Sequence, residues 1–185
     1  MNKALRYKFD TAEIVASIVG TVVMILSARL TFNEFYLKTD FSRTVFTIAI
    51  VLFISSIFGT ISGGLVGFLG YVGARLTCGF PVIYGDAIAL ALIGMVMGQF
   101  ASKFGIRDNK FNLKNVFVWI LTNIVVLIAI CIFEKPFADF IIYEKDLPRA
   151  ILEGMDLFYV LALPVGVALS VLLYIIGKIS SYVKR

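Results

Sequence analysis

The feature that most constrains this chain is a succession of apolar runs of membrane-crossing length, separated by short charged stretches. A helix needs roughly 20 mostly apolar residues to cross the ~30 Å hydrocarbon layer. The first run extends from about Thr11 to Leu30 and the second, shorter, from Thr44 to Phe58. The third follows a Gly59–Gly64 break and runs to about Leu76; the fourth spans about Gly85 to Ser102. The fifth spans Val116 to Phe133, and the sixth about Gly154 to Gly177, with Pro164 expected to kink it. The stretch from Glu134 to Glu153, which carries Pro136 and Pro148, reads as a long connection.

Composition rules out the alternatives. Of the 185 residues 60% are hydrophobic and 16% charged; ordinary soluble domains have about 45–50% and about 25%. One soluble core of this size has no room for so much apolar side chain, so the chain is expected to be an all-α, polytopic membrane protein, with residues 1–185 forming a single domain. A basic N-terminus precedes the run from Ile14 to Ala28, but Asp10 and Glu13 interrupt the approach to that run and no small-residue cleavage site follows. It therefore reads as a first helix, not a cleaved signal. The net charge of +5 comes from bases dispersed along the chain, which argues against nucleic acid as a partner.

The charges predict topology. With six helices, one side carries both termini and the loop with Lys103, Arg107, Lys110 and Lys114, for ten bases against three acids. The other side carries seven bases against nine acids. Positive loops stay in the cytoplasm, so both termini are expected there and the chain in the cell membrane.

Enzymatic function finds little support. The chain has no histidine, which removes His-type zinc sites and Ser-His-Asp triads. Cys78 and Cys131 form no CxxC pair, and no metal site or cofactor is expected. The glycine-rich third run (Gly63, Gly64, Gly67, Gly70, Gly73) lacks the Lys-Ser/Thr ending of a phosphate loop and suits close helix packing, the favoured reading, or backbone approach to a ligand.

Four groups of residues remain as candidates for function. Ala12, Ala16 and Gly20 share one face of the first helix, for a partner helix or for packing within the bundle. Arg75 and Asp86 flank the Cys78–Gly85 loop as a structural pair or as ligand contacts. Asn123 is a polar side chain in hydrocarbon and needs either a helix–helix hydrogen bond or a ligand. Asn33, Glu34, Glu153 and Asp156 supply polar groups, and Tyr36, Tyr84 and Tyr159 aromatic ones, on the non-cytoplasmic side; the aromatics also suit an interfacial belt.

Three stretches bring a resemblance. The Ala12-x-x-x-Ala16-x-x-x-Gly20 face is similar to the first-helix small-residue pattern of the substrate-binding S components of energy-coupling factor (ECF) vitamin transporters. The stretch Phe35-Tyr36-Leu37-Lys38-Thr39-Asp40-Phe41-Ser42 resembles that family's entry to the second helix, and Phe58-Gly59-x-x-x-Gly63-Gly64-x-x-Gly67-Phe68 its glycine-rich third helix. Arg43 and Thr44 depart from the Asp-Ile-Pro turn of many members, and Gly20 replaces an alanine.

The resemblance implies a six-helix subunit that binds a vitamin-like small molecule from outside. It also implies docking on a transmembrane coupling subunit, served by two cytoplasmic ATPase subunits, through Ala12, Ala16 and Gly20. Family sites at the outer end imply Asn33, Glu34, Tyr36, Arg75, Tyr84, Asp86, Asn123, Glu153, Asp156 and Tyr159 as substrate contacts. The mixture of charges and tyrosines suits a flat polar heterocycle. A stand-alone secondary carrier or channel is the competing expectation; the lack of internal repeats and of a buried acidic relay argues against it.

Overall fold

The computed structural model describes residues 11–33, 40–104, 106, 112–156, 158 and 163–183. Among them the chain is helical and has no strand. Helix α1 is Thr11–Asn33 and α2 is Asp40–Phe58. Helix α3 covers 60–77 and contains a π-helical turn at Val66–Gly70. Helix α4 is Tyr84–Lys103. Helix α5, Leu113–Tyr143, contains a second π-helical turn at Ala129–Glu134. Helices α6 and α7 are Leu147–Asp156 and Leu163–Val183.

Three of these helices are long and apolar enough to cross a membrane: Thr11–Arg29 within α1, α4, and α5. Thr47–Phe58 and Leu163–Ile176 are shorter apolar segments. Large aliphatic side chains stay exposed along α1 (Ile14, Val15, Ile18, Val19, Val22, Val23, Leu26), and apolar ones along α5 (Phe117, Leu121, Val125, Phe133). Continuous apolar surface of this kind belongs against lipid or a partner, not water.

The densest packing joins α3 to α4, and glycine makes it possible. Gly59, Gly63 and Gly67 recur every four residues and so share one face. They meet Gly98, Gly94 and the Leu90–Ala91 backbone of α4 in antiparallel order. A Cβ added at Gly63 would lie 2.5 Å from the Gly94 carbonyl oxygen, and one at Gly67 2.5 Å from that of Leu90. Gly64 also faces α4, against Met95, whereas Gly70 and Gly73 face α1, lying against Met24 and Ile25. A hydrogen bond from Ser62 Oγ to the Glu13 carbonyl (2.9 Å) adds to this contact. Helix α1 therefore runs parallel to α3. Ile48, Val51, Leu52, Val66, Ile93, Met97, Trp119 and Leu127 fill the core, and Trp119 meets Phe104 edge-on at 5.6 Å.

The structure corrects several sequence expectations. The break after the second run is Gly59 alone, at φ 108°, since Thr60–Gly64 are already helical. The supposed connection from Glu134 to Glu153 is mostly helix: α5 continues to Tyr143, and only residues 144–146 separate it from α6. Pro136 cannot donate to a carbonyl one turn back, and the π-turn just before it is the widening that lets the helix pass through. Pro148 is the second residue of α6 and Pro164 the second of α7. At Pro148 this removes no intrahelical donor, so that proline stands at a helix start; the kink expected at Pro164 turns on residues 159–162, which lie outside the described residues.

Candidate functional site

Where α4 begins, ionisable side chains from several elements meet. Asp86 lies in the first turn of α4, at the positive end of its dipole. Its Oδ2 accepts a hydrogen bond from Tyr71 Oη (2.8 Å), and its Oδ1 lies 3.2 Å from Lys135 Nζ. Lys135 also donates to Asp139 Oδ2 (2.9 Å), one turn on along α5. Asp139 is fully buried and receives a second hydrogen bond from Lys145 Nζ at 3.2 Å. Its Oδ1 sits 2.7 Å from where a Cβ of Gly85 would be, so glycine in the first turn of α4 admits the carboxylate.

The network then leaves the bundle. The chain turns at Glu144, in the left-handed conformation (φ 53°), and Lys145 comes next. Lys145 Nζ donates to Glu153 Oε2 (2.9 Å), and Arg149 Nε lies 3.4 Å from Glu153 Oε1. The Glu153 hydrogen bond holds the Lys145 ammonium above its ordinary pKa, and the Lys145 hydrogen bond holds the Glu153 carboxyl below its own. Tyr84 N–H donates to Tyr143 Oη at 2.7 Å, linking the start of α4 to the end of α5.

Both π-turns feed this cluster. Tyr71 directly follows Val66–Gly70 and Lys135 directly follows Ala129–Glu134, and both close on Asp86. A π-turn adds one residue to the helical path and re-aims the side chains beyond it; such turns are frequent at functional sites.

The structure places the predicted residues unevenly. Arg75, Tyr84, Asp86 and Glu153 come together at this end. The expected Arg75–Asp86 pair does not form: Asp86 is taken by Tyr71 and Lys135, while Arg75 Nε donates to the Pro81 carbonyl at 3.1 Å. Asn123 is buried, but about 18 Å back along α5 from Lys135, and its amide donates to the Trp119 carbonyl of its own helix (3.0 Å). It stands apart from the cluster. Asp156 is exposed at the end of α6. The backbone of Asn33 closes α1 at the same end as Arg75, while Glu34, Tyr36 and Tyr159 lie outside the described residues.

The expected docking face is also corrected in part. Ala16 and Gly20 point into the bundle, and a Cβ at Gly20 would lie 2.8 Å from Val66 Cγ2 and 3.2 Å from Ile54 Cγ1. These small residues serve packing of α1 on α2 and α3, leaving Ala12 as the exposed member.

Sequence reasoning missed Tyr71, Lys135, Asp139, Tyr143 and Lys145. The signal was present: Lys135 and Asp139 have the i, i+4 spacing of a helical ion pair, hidden by reading Pro136 as the end of the helix. It also missed a buried acid: Asp139 is one, near the end of α5. The cluster offers carboxylates, ammonium groups and phenols in close array, which suits binding of a polar molecule. Among the described residues no three His, Cys, Asp or Glu side chains are placed to hold a metal ion.

No protein-family model matches the chain, and no solved structure does. It is similar to a UPF0397 protein of Exiguobacterium, 24% identical over 178 residues covering 94% of this chain and 93% of the relative. It is also similar to UPF0397 proteins of Lactobacillus acidophilus (22% over 144 residues, 78% of this chain and 77% of the relative) and Lactobacillus helveticus (24% over 149 residues, 77% and 76%). The chain is thus an all-helical protein with apolar helices of membrane-crossing length, similar over most of its length to bacterial UPF0397 proteins.

Proposed function

We propose that this chain is the substrate-binding component of an ECF-type importer, crossing the membrane six times with both termini in the cytoplasm. It takes up a vitamin-like small molecule at the outer side. It delivers that molecule with a transmembrane coupling subunit driven by two separate ATPases. The observation that carries the reading is the ionic and phenolic cluster where α4 begins, set at one end of an otherwise apolar bundle. Ionisable groups near membrane depth are costly and mark ligand or ion sites by default. The charge asymmetry of the loops supports setting this end outside. The bacterial relatives suit a prokaryotic membrane. The exposed face of α1, with Ala12, is the surface proposed to meet the coupling subunit.

The test is mass spectrometry of small molecules released from the purified, detergent-solubilised protein, followed by reconstitution. A stoichiometric vitamin-like compound, with uptake into liposomes only when the coupling subunit and ATPases are present, is the expected result. The buried Asp139 favours a second reading, a stand-alone carrier. Ion-gradient-driven uptake by the lone protein would establish that carrier and overturn the first reading.

A further inference from the structure

The cations at the cluster end fall into two groups. Lys135, Lys145 and Arg149 each have a carboxylate within 3.4 Å. Arg75 has none among the described residues. Its Nε is used on the Pro81 carbonyl, and its two terminal nitrogens make no hydrogen bond or ion pair among those residues. The guanidinium carbon lies 5.7 Å from the Tyr71 ring and 5.5 Å from the Phe80 ring.

Local chain geometry builds this arrangement. Helix α3 ends in a Schellman motif: Phe80 N–H donates to the Arg75 carbonyl (2.9 Å), Gly79 N–H to that of Leu76 (3.2 Å), and Gly79 takes φ +74°. That motif folds the second residue past the helix back over its last turn, which lays Phe80 on Arg75. The neighbouring acid poses no obstacle to an anion, because Asp86 is already compensated by Lys135 and hydrogen-bonded by Tyr71. Tyr84 lies half exposed in the first turn of α4, with its backbone N–H on Tyr143 Oη. A charged fork with free donors and ring faces at its sides is a receptor for an oxyanion attached to a flat group.

We infer that Arg75 is the anion-binding residue of the ligand site, and that the ligand joins a carboxylate or phosphate to a flat ring. This rests on the substrate-binding reading and adds the ligand's chemical class.

The experiment titrates the detergent-solubilised full chain with matched pairs differing in the anion: riboflavin and its 5′-phosphate, pyridoxal and its 5′-phosphate, nicotinamide and nicotinate. Binding is read by thermal shift and calorimetry for the parent, Arg75→Gln and Arg75→Lys. The expected result is one anionic member binding at least about tenfold tighter than its neutral partner, that preference vanishing in Arg75→Gln and partly surviving in Arg75→Lys. Size-exclusion profiles establish that the variants fold. Neutral members binding equally well, unaffected by Arg75→Gln, would overturn the inference and leave the substrate-binding reading standing. Arg75-dependent stabilisation by phosphatidylglycerol nanodiscs, absent with phosphatidylcholine alone and with every soluble anion, would make the anion a lipid headgroup and overturn it too. No binding across the panel, with a neutral compound released from the purified protein, would overturn the inference alone; no binding and no released compound of any kind would remove both readings.

Discussion

Helix α4 takes part in two regions built on opposite physics. Along its length it lies against α3 with glycine backbones in contact; at its start it enters a network of charges. In the glycine seam the stabilisation is van der Waals contact between backbones, which fails when an atom is added. At the polar end it is charge balance, which tolerates a change of size but not a change of sign. Membranes permit both: small residues let helices approach, and buried charges persist only when compensated.

The largest expected effect breaks the seam. Gly63→Leu or Gly94→Leu places a branched side chain where backbone stands, and should abolish the monodisperse peak in size-exclusion chromatography. Gly63→Ala, with its Cβ 2.5 Å from the Gly94 oxygen and from Ser55 Cβ, should cost about 1–3 kcal/mol in thermal or denaturant unfolding. A cost near zero would show that the helices separate more readily than the seam implies.

The next effect breaks the polar end. Asp139→Leu leaves Lys135 and Lys145 without their shared carboxylate and should cost about 3–5 kcal/mol. Adding Lys135→Met should recover part of that loss, whereas no added apolar residue should rescue Gly63→Leu. Additive costs in the double variant would show that the pair is not coupled. Gly79→Ala should cost about 1–2 kcal/mol, since a side chain is disfavoured at its left-handed φ although the space around it is open.

Smaller still is the response to pH. Glu153, with its lowered pKa, contributes stability above the ordinary carboxylate range that is lost as pH falls through its folded value. Lys145, with its raised pKa, contributes stability below the ordinary lysine range that is lost as pH rises through its folded value. Both side chains are partly exposed, so each change should stay under about 1 kcal/mol. Melting temperature measured from pH 3 to 11 should show a broad plateau, and Glu153→Gln should flatten its acid edge. At the end of the scale, Gly73→Ala meets only the flexible tip of Ile25, at 2.6 Å from Cδ1, and should change the melting temperature little.

The legible part of the fold was what hydropathy controls. The apolar runs appear as helices, and the glycines of the third run do pack closely. Their partner was not legible: the run looks like a spacing of three, while the contact with α4 uses Gly59, Gly63 and Gly67 at a spacing of four. Helix ends next to proline were misread because proline forbids a hydrogen bond, not a helix, and a π-turn removes the need for that bond. The charges nearest the loops, Arg75, Asp86 and Glu153, and Tyr84 beside them, were found because their chain positions put them at one end. Lys135 and Asp139 escaped because their role depends on α5 continuing past Pro136. The Arg75–Asp86 pairing failed because proximity in sequence said nothing about Lys135 reaching Asp86 first.

The π-turn at Ala129–Glu134 has a consequence for how such a chain can change over generations. One residue lost from that turn would rotate everything after it by about 100°, swinging Lys135 and Asp139 away from Asp86 while α5 upstream stayed in register with α7. One residue gained would swing them the other way. The turn is thus a place where a single codon inserted or deleted can bring a different set of side chains to the start of α4 without rebuilding the bundle. Relatives that keep the apolar helices but carry other side chains against the start of α4 are expected to differ in length at this point, and an alignment forced through it without gaps would pair residues that never occupy the same place.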